Sequence, residues 1–213
     1  MLEFQNVTIR QGTFLLENLN FKLEEGYLAG ILGANGAGKT TLLHSMLEYD
    51  CTYEGEILFQ GRNIAKEKDW FLGQCAYIAE DVTILKKETA LTNVKMLGAF
   101  YEQMDFGLFT DYMKQMKLSP SKKIGAMSRG QLIKFQIAFA RARKAKLYLM
   151  DEVTAGMDPV FRREFYNMLR ELLEEGATIL MTTHIEADVN RNMDYICRLE
   201  KGRMVSFKES IEE

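Results

Sequence analysis

The sequence has few of the residues that build metal centres and disulfide frameworks. Only three cysteines and two histidines occur among 213 residues. The cysteines stand far apart and form no C-x-x-C pair. We therefore expect neither a zinc site nor a disulfide framework, and we interpret Cys51, Cys75 and Cys197 as reduced thiols in the core of a cytosolic protein.

Long apolar runs and a large excess of one charge are also missing. No window of 18 residues is apolar and free of charge, which predicts that the chain has no membrane-spanning helix. The first ten residues, MLEFQNVTIR, lack the apolar region of a signal peptide. The formal net charge of −3 argues against nucleic acid as the main partner. We expect any membrane role to come through a partner.

Only two prolines occur, and the sequence shows no repeat, linker or low-complexity segment. We therefore expect a single domain over 1–213, whose 47% hydrophobic residues can form a sizeable core. Apolar and polar residues alternate over 2–9 and again over 19–23, which predicts two half-buried strands.

Short apolar runs alternate with helical segments in the rest of the chain. The runs predict buried strands at 27–32, 147–150 and 178–181, so we expect an α/β fold with a mainly parallel sheet. One helix has clear ends, with Asp158 as its N-cap, Pro159 as its first residue and Gly176 after its last turn. The segment of about 86–144 has helical composition and predicts a helical lobe inserted in the α/β core.

The segment GANGAGKT, residues 33–40, matches the phosphate-binding pattern G-x-x-x-x-G-K-[ST]. Its glycines allow backbone N–H groups to turn toward phosphates, Lys39 reaches the β- and γ-phosphates, and Thr40 offers its hydroxyl to Mg²⁺. The alternative is a turn that is rich in glycine by chance. The candidate nucleotide-binding residues are Gly33, Ala34, Asn35, Gly36, Ala37, Gly38, Lys39, Thr40 and Thr41.

The segment LYLMDE, residues 147–152, places two acids at the end of a predicted strand. Next to a phosphate loop, Asp151 is expected to bind the metal and Glu152 to hold the water beside the γ-phosphate. Glu152 can act as a general base if it hydrogen-bonds that water. The alternative is an ordinary acidic strand end.

The segment MSRGQ, residues 127–131, makes the interpretation more specific. Here the chain resembles the ATP-binding cassette (ABC) ATPases, whose signature usually reads LSGGQ. The family's other motifs follow its order: AGMD resembles the D-loop and ends at Asp158, TTHIEAD contains His184 at the place of the switch histidine, and YIAED places Glu80 at the Q-loop. The resemblance rests on six ordered motifs and covers essentially the whole chain.

The resemblance implies a P-loop core with an N-terminal antiparallel β subdomain and an inserted helical subdomain. It implies ATP and Mg²⁺ as cofactors and a head-to-tail dimer with a second copy or a close relative. Each ATP then lies between the phosphate loop of one subunit and the signature of the other. The residues implied to act across this interface are Ser128, Arg129, Gly130 and Gln131, with Asp158 of the D-loop.

The resemblance also implies roles for residues around this site. Lys39, Glu152 and His184 are the implied catalytic residues, with His184 stabilising the transferring phosphoryl group. A groove beside Glu80 is implied to receive a helix of a polytopic membrane subunit. Met96, Phe100 and Tyr101 are candidates for lining that groove; packing in the core of the lobe is the alternative.

Three positions depart from the family pattern. Arg129 replaces the first glycine of the signature, while Gly130 remains; Arg129 either contacts phosphate or ribose or is a solvated side chain. Glu80 stands where glutamine is usual, and its carboxylate is a further candidate ligand for Mg²⁺. Gln11 occupies the position of the adenine-stacking aromatic residue, so Phe14 is the nearest candidate for stacking, with core packing as the alternative.

We therefore expect the ATP-hydrolysing subunit of a transporter, peripheral at the cytoplasmic face of the cell membrane. Glutamate at the Q-loop and the short chain resemble bacterial exporter ATPases, which favours export of a peptide or lipophilic compound. The alternatives are an importer ATPase, a soluble ABC ATPase that works on ribosomes or DNA, and a module that binds ATP without hydrolysing it. We expect His44 to be a packing or surface residue, and Trp70 and the methionines to pack in the core and lobe.

Overall fold

A ten-stranded mixed sheet forms the centre of the fold in the computed structural model, which describes residues 1–80 and 84–210. Asp81, the last residue of YIAED, lies outside the described residues, as do residues 211–213. The strands are β1 (Leu2–Gln11), β2 (Phe14–Leu23), β3 (Leu28–Leu32), β4 (Thr52–Phe59), β5 (Arg62–Asn63), β6 (Cys75–Ala79), β7 (Leu147–Asp151), β8 (Thr178–Thr183), β9 (Tyr195–Glu200) and β10 (Arg203–Glu209).

Seven α-helices and one 3₁₀ turn accompany these strands in the described residues. The helices are α1 (Lys39–Leu47), α2 (Lys68–Gln74), α3 (Ala90–Gly98), α4 (Phe106–Gln115), α5 (Arg129–Ala142), α6 (Pro159–Glu174) and α7 (Glu186–Asn192), and the 3₁₀ turn is Ile124–Ala126. The order of strands across the sheet is β5–β4–β1–β2–β10–β9–β3–β8–β7–β6.

One side of the sheet is antiparallel and is built from the N-terminal strands. β1 pairs with β2 and with β4, and β4 pairs with β5, all in antiparallel orientation. The predicted alternation in β1 is confirmed, because Leu2, Phe4, Val7 and Ile9 are all buried. The pairing shifts between Phe4 and Val7, where Asn6 has a φ of 51°. This irregularity restores the inward direction of the later apolar side chains.

The other side of the sheet is parallel and carries the predicted buried strands. β9, β3, β8, β7 and β6 are neighbours in this order and pair in parallel orientation. All residues of β3 and β8 are buried, as expected of strands covered on both faces. The predicted α/β class with a P-loop core is confirmed, and the sheet joins this parallel part to the predicted antiparallel N-terminal strands.

Residues 84–144 contain α3, α4, the 3₁₀ turn and α5. α5 is joined to the sheet by Gln136, whose side-chain N–H donates to the Ala79 carbonyl (2.9 Å) and whose side-chain oxygen accepts from the Ala79 N–H (3.2 Å). α5 therefore connects the helical segment to the end of β6. An inserted subdomain over about 86–144 stays a prediction.

α6 has the predicted ends. Asp158 is its N-cap, and the carboxylate accepts from the N–H groups of Val160 and Phe161, both at 3.0 Å. Pro159 is the first residue, and Gly176 follows the helix with a φ of 81°. Capping carboxylate, N-terminal proline and C-terminal glycine each fulfil a separate backbone requirement.

The cysteines are free thiols, but only two lie in the core. Cys75 and Cys197 are buried, and burial raises the pKa of both thiols to about 12. Cys51 is only half-buried, so its predicted place in the core is wrong. It comes just before β4 and packs against the core without being buried in it. In residues 1–80 and 84–210, every helix is too short or too polar to span a bilayer.

Candidate active site

The predicted site residues follow the carboxyl ends of adjacent parallel strands. The phosphate loop follows β3, Glu80 follows β6, Glu152 follows β7 and His184 follows β8. Since the carboxyl ends of parallel strands share one edge of a sheet, the loops that follow them meet there. The strand order therefore brings residues more than 100 positions apart in sequence into one site.

The phosphate loop has the backbone that its glycines predict. Gly36 and Gly38 have φ values of 77° and 107°, which side chains rarely permit. A Cβ at Gly38 would also lie 3.1 Å from the Phe14 ring. The loop leads directly into α1 at Lys39, so the first N–H groups of the helix point into the loop. Such a loop favours an anion.

Lys39 is buried at the base of this loop. Its Nζ donates to the carbonyls of Gly33 (2.9 Å) and Ala34 (3.2 Å) and lies 3.2 Å from Glu152 Oε1. The ammonium group is therefore held between the loop and the acid at the end of β7. This position joins two residues that the sequence predicted to act on the same phosphate.

A cavity of about 410 Å³ opens above the loop. Phe14 lines it, so the aromatic candidate for base stacking lies beside the phosphate loop. Gln11 is held differently, because its side-chain oxygen accepts from the Thr41 hydroxyl at 2.8 Å. The other lining residues are Asn35, Gly36, Gly38, Lys39, Thr40, Thr41 and Glu152.

Asp151 is surrounded by three hydroxyl groups. Its Oδ1 accepts from Thr182 Oγ1 (2.6 Å) and Thr40 Oγ1 (3.1 Å), and its Oδ2 accepts from the Tyr77 hydroxyl (3.2 Å). A hydroxyl and a carboxylate oxygen side by side are hard donors of the kind that Mg²⁺ prefers. In the described parts of the chain no three acidic, histidine or cysteine side chains cluster as a metal site.

Glu152 lies between the other two predicted catalytic residues. Lys39 Nζ is 3.2 Å from Oε1, and His184 Nδ1 is 3.8 Å from Oε2. The backbone of Glu152 has a φ of 47°, a region that few residues other than glycine adopt. Its N–H donates to Thr182 Oγ1 at 2.9 Å. The same threonine hydroxyl therefore holds both acids of the motif.

The signature residues form the start of α5. Ser128 is the N-cap, and its oxygen accepts from the Gln131 N–H (3.3 Å). The Gln131 side-chain oxygen accepts from the Ser128 N–H (3.1 Å) and from Lys122 Nζ (2.8 Å). This reciprocal capping fixes the amino end of the helix and leaves the Ser128 hydroxyl hydrogen free to donate.

A second cavity, of about 380 Å³, lies at this helix end. None of its described lining residues lines the cavity above the phosphate loop. Asp158 also lines it, so the D-loop and signature candidates are neighbours. The lining residues are Ser128, Arg129, Gly130, Gln131, Lys134, Gly156, Met157, Asp158 and Phe161.

Two of the three positions that depart from the family pattern, Arg129 and Glu80, contact each other. Arg129 Nη2 lies 3.0 Å from Glu80 Oε2, and the arginine is half-buried rather than fully solvated. The carboxylate that was a further candidate for Mg²⁺ thus has an arginine partner. Sequence reasoning did not predict this pair.

Comparison with known proteins agrees with this geometry. Residues 16–155 match the model of the family described as "ABC transporter". This chain belongs to the ABC transporter family. The match begins in β2 and includes the phosphate loop, the signature and both acids of LYLMDE.

Relatives and solved structures extend the comparison over nearly the whole ABC chain. The Nod factor export ATP-binding protein I of Burkholderia orbicola is 31% identical over an alignment of 214 positions that covers 96% of this chain and 69% of the relative. The protein of the same name from Burkholderia lata is 29% identical over 211 residues, with the same coverage of both chains.

A nucleotide-free ATP-binding cassette from an ABC transporter has the same fold, with a TM-score of 0.84 and 22% identity over 100% of this chain and 92% of its own. A dimeric cassette in a post-hydrolysis state, bound to ADP and phosphate, has a TM-score of 0.81 and 22% identity and covers 99% of both chains. The chain is an ATP-binding subunit and, like its family, an ATPase.

The structure of this ABC ATPase adds residues to the site that sequence reasoning missed. Tyr77 and Thr182 both contact Asp151, and both lie inside segments that had been assigned as motifs. Burial and the nearby Asp151 raise the pKa of Tyr77, so its hydroxyl keeps its proton and donates. His44 is half-buried, with Nε2 3.2 Å from the Tyr77 oxygen. Of the two roles predicted for His44, packing or surface, its contact with Tyr77 supports packing.

The groove candidates of the ABC ATPase are not equally exposed. Met96 is 53% exposed and Phe100 is 84% exposed. Tyr101 instead packs edge-on against Phe139, with the Arg143 guanidinium 4.2 Å from its ring centre. Trp70 packs against Phe59 and Arg62, as expected of a packing residue.

Proposed function

We propose that this ABC ATPase dimerises around two ATP molecules and drives a polytopic membrane subunit from the cytoplasmic face of the membrane. The observation that carries the proposal is the separation of two half-sites within one chain. Phosphate-binding and acidic residues line one cavity, and the signature residues line another. A second copy or a close relative, placed head to tail, would bring the two kinds of cavity together.

In the proposed reaction, the chain's own residues hold the phosphates and orient the attacking water. Lys39 and the N–H groups of 36–38 bind the β- and γ-phosphates. Thr40 and Asp151 would hold Mg²⁺, which neutralises phosphate charge when it is bound. Glu152 accepts a hydrogen bond from the water and polarises it, and His184 stabilises the transferring phosphoryl group.

The proposed partner subunit supplies its signature to the same ATP. The Ser128 hydroxyl and the Gly130 N–H at the start of α5 are donors suited to the γ-phosphate, and the helix dipole favours the anion. Asp158, near the same surface, would meet the partner across the interface. Phe14 beside the phosphate loop would stack on adenine.

The variant Glu152→Gln tests both dimerisation and hydrolysis. It keeps the size of the side chain but removes the proton acceptor, so the proposal expects ATP-dependent dimers that accumulate and hydrolyse at least about a hundredfold more slowly. Light scattering after chromatography measures the dimer, and phosphate release measures turnover. Lys39→Ala is the matched control, because it should remove ATP binding and therefore the dimer. Glu152→Gln with unchanged turnover would contradict the proposed base.

The membrane partner is proposed from exposed apolar residues and from relatives. Met96 and Phe100 are exposed on α3 and just after it, beyond the segment that follows Glu80. The Burkholderia relatives are named export ATP-binding proteins, which favours export over import. We propose a peptide or lipophilic compound as cargo, since glutamate at position 80 resembles exporter ATPases of the family.

Co-purification tests the membrane partner. The tagged chain is expressed with its neighbouring open reading frames, and membranes are solubilised in detergent. The proposal expects a polytopic membrane protein to be retained with the wild type and lost with the double variant Met96→Glu/Phe100→Glu, whose ATP binding serves as the control. Recovery only with ribosomes or DNA would reject the transporter role.

A further inference from the structure

Arg129 is a cation at the amino end of a helix, where a positive charge is unfavourable. It is the first residue of α5, where the positive end of the helix dipole faces a cation. Its side chain is 32% exposed and reaches the ends of two strands. The reason for an arginine at this position must therefore lie in what its guanidinium contacts.

The guanidinium connects two loops of the same chain, the one after β6 and the one between β7 and α6. Its Nη2 lies 3.0 Å from Glu80 Oε2, after β6, and donates to the Glu152 carbonyl at 3.4 Å, after β7. Its Nη1 lies against Gly156, where a Cβ would be 3.2 Å away. Gly156 has a φ of 67°, so this backbone both favours glycine and leaves the space that the arginine uses.

The hydrogen bond from Arg129 holds the carbonyl of a residue, Glu152, whose backbone conformation is unfavourable. Glu152 has a φ of 47°, and such conformations persist only where the surroundings hold them. Thr182 accepts from its N–H at 2.9 Å, and Arg129 donates to its carbonyl. The backbone of Glu152 sets the place of the carboxylate, which lies 3.2 Å from Lys39 and 3.8 Å from His184.

We propose that Arg129 is a positioning residue for Glu152 within its own chain, and that Glu80 orients its guanidinium; the proposal rests on the function proposed above. Arginine supplies the donor that glycine lacks, and glutamate supplies the charge that glutamine lacks. Two of the three departures from the family pattern are thus the two ends of one ion pair. Through this pair, a displacement of Glu80 changes the position of the acid that holds water.

Substitutions in the homodimer measure this coupling. Arg129→Gly is expected to lower the hydrolysis rate at saturating ATP about tenfold and to leave ATP affinity nearly unchanged, because position rather than binding is lost. Glu80→Gln should give a similar fall, and the double variant should fall no further, since both remove one interaction. Arg129→Lys should restore only part of the rate, because lysine lacks the fork of donors.

A merely structural role is distinguished by stability. An ion pair this exposed contributes little to folding, so the urea midpoint of each variant should match that of the wild type. A loss of rate that follows a lowered midpoint would overturn the proposal. A double variant with multiplied losses would overturn it as well.

Mixed dimers decide whether Arg129 acts in its own chain or across the interface. Each dimer carries two different affinity tags, and Glu152→Gln silences one chain, so single-turnover hydrolysis reports the site of the other chain. In the first dimer Arg129→Gly is placed in the active chain, and in the second it is placed in the silent chain. The reference dimer has Arg129 in both.

The proposal expects the first dimer to lose about tenfold in rate and the second to match the reference. A loss confined to the second dimer would show that Arg129 acts on the partner's ATP and would overturn the proposal. Equal rates in all three dimers would overturn it too. If the wild-type homodimer hydrolyses no ATP, the proposed function itself fails, and this result is separate from the comparison.

Discussion

Thr182 provides a sharp test of how the two acids of the site are held. Its hydroxyl, fully buried in β8, donates to Asp151 Oδ1 at 2.6 Å and accepts from the Glu152 N–H at 2.9 Å. Thr182→Val replaces that hydroxyl with a methyl group of similar size. The substitution removes both hydrogen bonds without opening a cavity.

The expected magnitude follows from these two bonds. A hydrogen bond to a charged carboxylate contributes about 1.5–3 kcal/mol, and an N–H left without a partner costs about 1–3 kcal/mol. Because Glu152 is partly exposed, water replaces some of the second loss, so we expect the free energy of unfolding to fall by about 3 kcal/mol. If half of this free energy also stabilises the transition state of hydrolysis, the variant loses about 1.5 kcal/mol there. Since about 1.4 kcal/mol corresponds to a factor of ten, kcat/KM falls at least about tenfold.

Two neighbouring variants serve as controls. Thr182→Ser keeps the hydroxyl and should retain most of the activity. Thr183→Val removes a different bond, in which the Thr183 hydroxyl accepts from the Ile185 N–H at 3.1 Å, and should cost only about 1 kcal/mol with little loss of turnover. Urea unfolding measures stability, and phosphate release measures kcat/KM. Thr182→Val with wild-type kcat/KM would refute the reasoning.

Thiol chemistry and helix capping supply further predictions. Burial raises the pKa of Cys75 and Cys197 from 9.0 to about 12, so a thiol reagent at pH 8 should label Cys51 first and these two only after unfolding; equal labelling rates would contradict their burial. Above pH 9 the unfolded chain loses the protons of these two thiols while the folded chain keeps them. The stability that their burial as neutral thiols contributes is therefore complete below pH 9 and is lost as the pH rises toward 12, which urea midpoints over that range can check. Asp158→Ala should lower stability by about 1 kcal/mol, whereas Asp158→Asn should keep most of it, because the amide oxygen can still cap α6; equal losses in thermal or urea unfolding would exclude a capping role.

The local chemistry of the site could be predicted from sequence because it depends on residues close together in the chain. The glycine positions in GANGAGKT, the acids that end LYLMDE and the capping residues around Asp158 act over a few positions. A turn, a strand end or a helix cap is set by the backbone requirements of its own residues. The family motifs added the order of these segments.

The hydroxyls around Asp151 could not be assigned from sequence. Tyr77 and Thr182 stand in segments whose motif character was recognised, yet nothing local shows which side chains of a buried strand face the acid. In β8 every residue is buried, so alternation of polar and apolar residues carries no signal. The order of β6, β7 and β8 in the sheet decides these contacts.

The sequence by itself determined the phosphate loop, the acidic strand end and the α/β class, because each depends on residues that are close together in the chain. The order of the motifs along the chain indicated the family. Only the tertiary structure decided that Arg129 and Glu80 form a pair, that Gln11 holds Thr41 and that Cys51 lies outside the core. These contacts join residues that are 49 and 30 positions apart in the first two cases (129 − 80 and 41 − 11). Side chains so far apart meet only through the packing of strands and helices, which no local pattern encodes.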